Sequence, residues 1–273
     1  MPSFADNRAI GIFDSGLGGL TAAAALMRLL PQESICYLGD TARTPYGGRS
    51  SDTIATYAKQ DITFLLRQDI KAIIVACGTV SAVAPEQIRA DFPVPIYGVL
   101  EPTVQAAIQA TKTGRIGIIG TSATIASGAY ERLLRKTQAE LAITSVACPL
   151  FVPLVECGRT EIGDVVIETI AAEYLAPLKI AGIDTLILGC THYPLLESVI
   201  AKYMGAAVTL VSSGAATADF VARQLRKSGQ LAKRDTPPPH QYFVTDSTDS
   251  FAESASKFLQ QDVGAAVQQI CLD

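Results

Sequence analysis

The chain has 273 residues, 49% of them hydrophobic and 18% charged, with a formal net charge of −4. This composition is too apolar for a disordered chain, and the length predicts one large domain or two medium ones with a well-buried core. The weak acidity, the absence of Trp and an aromatic content of 7% argue against nucleic acid as a partner, because phosphate backbones attract basic surfaces and single-stranded bases stack on aromatic rings.

Short β-branched runs alternate with helix-length segments along the chain, which is typical of βα units in a parallel sheet. The predicted strands are, in chain order, Ala9–Phe13, Ile35–Leu38, Lys71–Ala76, Ile96–Val99, Arg115–Ile119, Asp184–Leu188, Ala207–Val211 and Gln241–Val244. Pro237, Pro238 and Pro239 predict a surface loop before the last strand. The pattern predicts a fold of the α/β class.

Two pairs of segments resemble each other in the two halves of the chain. Ile10–Ser15 is similar to Ile116–Thr121, and Ile73–Thr79 is similar to Leu186–His192. Two diverged copies of one α/β unit would produce this order, although buried strands also resemble one another by chance. A repeat would make the fold two pseudo-symmetric parallel-sheet domains. Because ligands bind at the carboxyl ends of parallel strands, it would also place a site in the cleft between them.

The amino terminus and the six cysteines bear on the compartment. Residues 1–8 lack the basic and apolar regions of a signal peptide, and the apolar runs are shorter than the roughly 20 residues of a membrane span. We therefore expect a cytoplasmic protein without membrane association, whose cysteines are not disulfide-bonded. We interpret Cys36, Cys148 and Cys271 as buried packing residues, and the role of Cys157 stays open.

Cys77 and Cys190 are the candidate reactive thiols. Each follows an apolar strand of the repeat and precedes small or polar residues suited to a helix N-terminus, whose dipole lowers a thiol pKa. Two thiols on opposite sides of a ligand suit removal of a proton from one face of a carbon and donation to the other. Three nearby polar groups are expected to tune them: Asp14, Glu156 and His192.

The ligand side has weaker candidates. Thr121–Thr124 follows a strand and opens a predicted helix, so its hydroxyl and N–H groups would suit a small carboxylate or would simply cap the helix. Pro45–Gly48 would present N–H groups to an anion or form an ordinary turn. Asp14–Gly19 is rich in glycine but lacks the G-x-G-x-x-G spacing of a dinucleotide site. Without a C-x-x-C pair, a metal site is not expected.

Together, seven segments resemble the glutamate racemase family, within the cofactor-independent aspartate/glutamate racemase superfamily. They run along nearly the whole chain: Asp14–Leu20, Arg43–Gly47, Val75–Thr79, Gly120–Thr124, Pro153–Glu156, Leu188–Pro194 and Phe243–Asp246. The resemblance implies racemisation of glutamate, with D-glutamate supplied for peptidoglycan, no cofactor, no metal and a homodimer. It also implies a first domain of residues 1–98 and 213–273 and a second of residues 99–212.

The resemblance implies a role for each matching residue. Cys77 and Cys190 become the two acid/base groups, assisted by Asp14 and His192 respectively, with Glu156 near His192. The substrate-binding residues would be Asp14, Ser15, Pro45, Tyr46, Gly47, Gly78, Thr79, Thr121, Thr124, Thr191 and His192. One position departs from the pattern, since many members have Asn where this chain has Gly78, which leaves a backbone N–H or water to contact the substrate.

Three other functions fit parts of the pattern. A related racemase or decarboxylase would act on a hydantoin or another substrate, although two retained thiols and the Tyr46–Gly47 segment favour glutamate. A binding module on the same two-lobed scaffold would hold glutamate without exchanging its α-hydrogen. A thiol hydrolase would use Cys190 with His192, but the sequence offers it no further support.

Overall fold

The computed structural model describes residues 5–84, 92–236, 239–259 and 261–272. Pro237 and Pro238 of the predicted loop lie outside these ranges. The strands are β1 (Ala9–Asp14), β2 (Ile35–Gly39), β3 (Ile70–Val75), β4 (Ile96–Gly98), β5 (Arg115–Gly120), β6 (Ala142–Ala147), β7 (Thr185–Leu188), β8 (Thr209–Ser212), β9 (Gln241–Val244) and β10 (Val267–Gln269).

The helices alternate with these strands, as the sequence pattern predicts. They are α1 (Leu20–Leu29), α2 (Ser51–Leu66), α3 (Gly78–Val83), α4 (Leu100–Ala110), α5 (Ser122–Ser127), α6 (Ala129–Thr137), α7 (Phe151–Glu156), α8 (Val165–Ile180), α9 (Glu197–Met204), α10 (Ser213–Ser228) and α11 (Thr248–Leu259). Short 3-10 turns cover Thr41–Arg43, Tyr46–Gly48, Tyr193–Leu196 and Gly264–Ala266. In the described part of the chain, no helix has both the length and the apolar character needed to cross a bilayer.

Two parallel sheets organise the fold. The first has the strand order β10-β9-β2-β1-β3-β4, and the second has the order β6-β5-β7-β8. In the first sheet β1 pairs with both β2 and β3, and in the second sheet β5 pairs with both β6 and β7. The next strands continue the same order, since β4 pairs with β3 and β8 pairs with β7, so strands β1 to β4 correspond to strands β5 to β8. The predicted α/β fold and its internal repeat are therefore confirmed, and Cys77 and Cys190 follow the equivalent strands β3 and β7.

Two strands, β6 and β10, were not predicted from the sequence, and both lie at sheet edges. β6 reads Ala-Ile-Thr-Ser-Val-Ala and is half-exposed, while β10 has only three residues. Edge strands face solvent and need no continuous apolar run, which is the signal that identified the buried strands. The expectation that Gln241–Val244 is the last strand is therefore wrong, since β10 pairs with it farther along the chain.

Helix α10 brings the chain back from the second sheet to the first. It follows β8 of the second sheet directly, yet its apolar face, including Val221 and Leu225, shares a core with α1. The contact is close because small residues form it: a Cβ added at Gly214 would lie 3.0 Å from the backbone nitrogen of Ala22. Both halves of the chain are therefore joined by packed helices as well as by the connecting backbone.

A buried ion pair, Lys71 with Glu33, lies near the amino end of β3, away from the carboxyl end that precedes Cys77. Lys71 Nζ lies 2.6 Å from Glu33 Oε2 and donates hydrogen bonds to the carbonyl oxygens of Asp6 and Gln230, at 2.7 and 2.8 Å. Glu33 Oε1 accepts a hydrogen bond from the backbone of Ala232 at 2.8 Å. Both charges are buried and lie against each other, and through the contacts with Asp6, Gln230 and Ala232 this pair ties the amino-terminal segment and the segment after α10 to the sheet.

Candidate active site

Cys77 lies at the carboxyl end of β3 and occupies the N-cap position of α3. Its thiol is buried and donates a hydrogen bond to Ser15 Oγ at 3.7 Å. Burial and the charge of Asp14 raise the pKa of this thiol to about 12, against the lowering effect of the Val80 N–H. The helix N-terminus thus lowers the pKa of Cys77, but burial raises it more, so the net shift is upward.

Cys190 follows β7, but no helix begins there. Its carbonyl accepts the Tyr193 N–H at 3.1 Å, and a 3-10 turn follows over Tyr193–Leu196 before α9 starts. Pro194 lies in the first turn of this helical segment, where proline is tolerated because the N–H that it lacks would have no helical acceptor. The partner of the thiol is instead a side chain, since Cys190 Sγ lies 3.9 Å from His192 Nδ1.

His192 is buried between a thiol and a carboxylate. Its second ring nitrogen, Nε2, lies 3.4 Å from Glu156 Oε1 at the end of α7. Burial lowers the pKa of His192, but its contacts with Cys190 and Glu156 and the charge of Asp14 outweigh that effect and raise the pKa to about 10. An imidazolium at neutral pH can therefore stabilise a thiolate at Cys190 or return a proton to it.

Asp14 ends β1 and is fully buried. Its carboxylate accepts hydrogen bonds from the Gly16 N–H at 3.1 Å and from Thr191 Oγ1 at 3.3 Å. Burial raises the pKa of Asp14, while the charge of His192 and these hydrogen bonds lower it. The charge of Asp14 raises the pKa of Cys77 and also that of His192, the partner of Cys190. Asp14 therefore influences the surroundings of both thiols.

Glycines bring the two halves of the site into direct contact. A Cβ added at Gly18 would lie 2.4 Å from Thr191 Oγ1 and 2.8 Å from His192 Nδ1, and one added at Gly78 would lie 2.4 Å from the carbonyl oxygen of Gly189. The same position at Gly78 is 3.9 Å from the Cα of Cys190. Gly18 was not predicted as a site residue, because its contacts with Thr191 and His192 are tertiary and no local pattern signals them.

Three threonine hydroxyls form a chain across the cleft. Thr79 Oγ1 lies 3.1 Å from Thr121 Oγ1, which in turn lies 3.0 Å from Thr124 Oγ1. Thr121 is also the N-cap of α5 and accepts the Thr124 N–H at 3.3 Å. The capping interpretation of this segment is therefore observed, and its proposed contact with a carboxylate stays a prediction.

The loop of residues 40–49, here called the 40–49 loop, reaches the same place from the first sheet. Its Thr44–Pro45 peptide bond is cis, and a Cβ at Gly47 would lie 3.0 Å from the Cβ of Thr121. Tyr46 is buried, and its hydroxyl is within hydrogen-bonding distance of the carboxyl groups of Asp40 and Asp61. Because this side chain points into the protein, Tyr46 can offer a ligand only its backbone.

The comparison with known proteins decides the family. Residues 22–221 match the family model described as Asp/Glu/Hydantoin racemase. The chain belongs to this racemase family. It is 44% identical over 261 residues to the glutamate racemase of Geobacter metallireducens, covering 96% of each chain.

Solved structures of the racemase family share the fold over nearly its full length. A glutamate racemase isoform from Bacillus anthracis matches with a TM-score of 0.90 and 40% identity, covering 98% of both chains. The glutamate racemase of Francisella tularensis, solved with D-glutamate, matches with a TM-score of 0.90 and 36% identity, covering 98% of this chain and 99% of that one. The two-sheet architecture is therefore the architecture of these enzymes.

The other cysteines of this racemase-family chain divide differently from the prediction. Cys36 and Cys148 are buried as expected, and burial raises the pKa of Cys36 to about 12. Cys271 is exposed, so its interpretation as a packing residue is wrong. It follows the edge strand β10 and lines a surface pocket together with Lys59, Thr63 and Phe64 of α2. Cys157 is exposed at the end of α7.

Proposed function

We propose that this protein is a glutamate racemase, which interconverts L- and D-glutamate with two thiols and without a cofactor. It is an enzyme, an isomerase of the amino-acid racemase class. The observation that carries the proposal is that Cys77 and Cys190 follow the equivalent strands β3 and β7 and are both buried, and that a Cβ added at Gly78, next to Cys77, would lie 3.9 Å from the Cα of Cys190. A planar carbanion between them would be reached by one thiol on each face.

The reaction needs one thiolate and one thiol at a time. With one enantiomer, the thiolate of Cys77 removes the α-proton and the Cys190 thiol protonates the opposite face of the carbanion; with the other enantiomer, the roles are reversed. Each turnover moves one proton onto one sulfur and one proton off the other, so the enzyme ends in the mirror protonation state. General acid–base catalysis works best when the groups titrate near the operating pH, so Cys77, whose pKa burial raises to about 12, needs a partner that takes its proton.

The proposed partners of the two thiols are not equivalent. The imidazolium of His192, held against Glu156, supports a thiolate at Cys190 by charge and can donate a proton to it. Cys77 has no cationic partner among the described contacts; it has the Ser15 hydroxyl and the nearby Asp14 carboxylate. We propose that Asp14 accepts the proton of Cys77 when this thiol must become the base, which its raised pKa favours.

Neutral donors are proposed to hold the amino acid. The hydroxyls of Ser15, Thr79, Thr121, Thr124 and Thr191 and the backbone N–H groups of the 40–49 loop would donate to its carboxylate groups, and hydroxyl oxygens among them would accept from its ammonium group. Backbone and hydroxyl donors can bind a carboxylate without a positive charge that would trap the product. Pro45, Tyr46, Gly47 and Gly78 contribute through their backbones, and Gly78 offers an N–H where many family members carry Asn.

The proposed domains are residues 1–98 with 213–273 and residues 99–212. The strands of the first sheet lie in the first set and those of the second sheet in the second. The packing of α10 on α1 supports the return of the chain at residue 213, and that of α4 against the second sheet supports the boundary near residue 98. We further propose a cytoplasmic homodimer that supplies D-glutamate for peptidoglycan, as the family resemblance implies.

The direct test is incubation of the purified protein with L-glutamate in D₂O without an added cofactor. Loss of optical rotation together with deuterium at Cα is expected, and Cys77→Ala and Cys190→Ala should each abolish racemisation. Cys271→Ala, which removes an exposed thiol outside the site, is the matched control and should leave the rate unchanged. Absence of exchange with glutamate would overturn the proposal, and exchange with aspartate or a hydantoin instead would change the substrate.

A further inference from the structure

We propose that Asp61 of α2 is a neutral carboxylic acid that donates a hydrogen bond to Tyr46 and so positions the 40–49 loop for substrate binding. This inference rests on the proposed function, since the loop carries Pro45, Tyr46 and Gly47. Asp61 lies outside the residues that contact the substrate, so its role is positioning, not catalysis. The sequence gives one indication that Asp61 is buried, since it has the helical spacing of the apolar residues of α2. The buried residues of this helix are Ile54, Ala58, Asp61, Ile62 and Leu65.

The Tyr46 hydroxyl contacts two carboxyl groups, and one of the two must carry a proton. The Tyr46 hydroxyl contacts Asp40 Oδ2 and lies 3.0 Å from Asp61 Oδ2. A phenol has one proton and can donate to one of these oxygens only. The second contact is a hydrogen bond only if the other carboxyl group carries a proton and donates it to the phenol oxygen.

The surrounding donors identify Asp40 as the ionised member. Asp40 Oδ2 accepts Arg43 Nε at 2.6 Å, and Asp40 Oδ1 accepts the Thr245 hydroxyl at 2.9 Å. Apart from the Tyr46 hydroxyl, the described contacts of the Asp61 carboxyl group include one longer contact, from Arg43 Nη2 to Oδ1 at 3.2 Å. One guanidinium therefore balances one carboxylate at Asp40, and the proton needed at Tyr46 belongs to Asp61.

The electrostatic surroundings agree with this assignment. Burial raises the pKa of Asp61 well above its ordinary value, and the charge of Asp40 adds to the effect, against the lowering by the charge of Arg43 and by the Tyr46 hydroxyl. Asp14 of β1 faces it at longer range and raises its pKa further. Asp61 and Asp40 are both fully buried, so a second negative charge would be costly beside a single Arg43.

The network fixes the loop at the point where it meets the second half of the site. Tyr46 begins the 3-10 turn Tyr46–Gly48, and the next residue, Gly47, packs on Thr121. Arg43 is held from a second side by the Tyr57 ring, 4.1 Å from its guanidinium carbon. With its side chain anchored on α2 through Asp61, Tyr46 directs the backbone of the turn toward Thr121.

The test compares the same chemical change at the two carboxyl groups. Asp61→Asn keeps a neutral donor of the same shape, so KM for glutamate and kcat should stay within about twofold of the wild type, since the hydrogen bond is retained. Asp40→Asn removes the ionised partner of Arg43 and should raise KM about tenfold or more, as expected for a lost charge-assisted hydrogen bond. Asp61→Ala should raise KM by a similar factor with a smaller change in kcat, and Asn at this position should restore it.

A second readout does not depend on activity. Infrared difference spectra of the wild type minus Asp61→Asn at neutral pH should contain the carbonyl stretch of a protonated carboxylic acid. Its absence, or an Asp61→Asn enzyme as impaired as Asp40→Asn, would overturn the inference while the wild type still racemises glutamate. If the wild type does not racemise glutamate, the proposed function fails, and the infrared band still decides the protonation of Asp61.

Discussion

Thr191 donates its hydroxyl to the carboxylate of Asp14 at 3.3 Å, although the two residues are 177 positions apart. Asp14 ends β1 of the first sheet and Thr191 follows Cys190 after β7 of the second. This hydrogen bond directly joins the surroundings of the two thiols. A change on one side of the site is therefore expected to alter the protonation of groups on the other.

Thr191→Val tests this coupling, because it keeps the shape of the side chain and removes the hydroxyl. A buried carboxylate that loses a hydrogen bond is destabilised by about 1–3 kcal/mol, and the pKa of Asp14 should rise further, since the Thr191 hydroxyl lowers it. We expect the rising limb of the kcat/KM–pH profile to move to higher pH and the rate at neutral pH to fall. Thr191→Ser, which retains the hydroxyl, should behave like the wild type; an unmoved profile in Thr191→Val would contradict the coupling.

His192 should make the stability of the fold depend on alkaline pH. Its pKa is raised from 6.5 in the unfolded chain to about 10 in the folded protein, so the folded state holds the proton more tightly. This contribution to stability is complete below pH 6.5 and is lost as the pH rises toward 10, with a slope of at most about 1.4 kcal/mol per pH unit.

Urea unfolding at several pH values between 6.5 and 10 measures this contribution. The wild type should lose stability across the interval more steeply than His192→Gln, which cannot take up the proton. Parallel curves for the two proteins would show that His192 is not protonated in the folded state. His240→Gln is a useful control, because burial lowers the pKa of His240 and its removal should leave this slope intact.

Gly18 is predicted to be essential for the site geometry. Gly18→Ala places a methyl group against Thr191 and the His192 ring, and neither can move without disturbing Cys190 or Asp14. Overpacking of this kind costs about 1–3 kcal/mol, and we expect kcat to fall more than tenfold. Gly48→Ala is the matched control, since a Cβ at Gly48 meets no atom within 4 Å. Equal activity of the two variants would show that the contact at Gly18 is not required.

The sequence predicts those features of the fold and of the site that depend on residues close together in the chain. β1 and β3 are buried on both faces, so their continuous apolar runs located them, and the repeat placed Cys77 and Cys190 at equivalent ends. The roles of Gly18 and Asp61 depend on contacts between elements that no local pattern encodes. The 3-10 turn Tyr193–Leu196 at the start of α9 was not predicted, because such turns are common at helix N-termini and the hydrophobic pattern does not distinguish them from an α-helical first turn.

The buried pair of Lys71 and Glu33 is expected to support the fold without taking part in the reaction. Lys71→Met leaves the Glu33 carboxylate buried without its cation, and breaking such a pair typically costs about 3–5 kcal/mol. Denaturant unfolding should show this loss, while KM for glutamate at a temperature where the variant is folded should be unchanged. Lys202→Met, which breaks the exposed contact with Glu168, should have little effect on stability. A Lys71→Met protein as stable as the wild type would mean that solvent reaches Glu33 and that the pair does not hold the amino-terminal segment and the segment after α10 to the sheet.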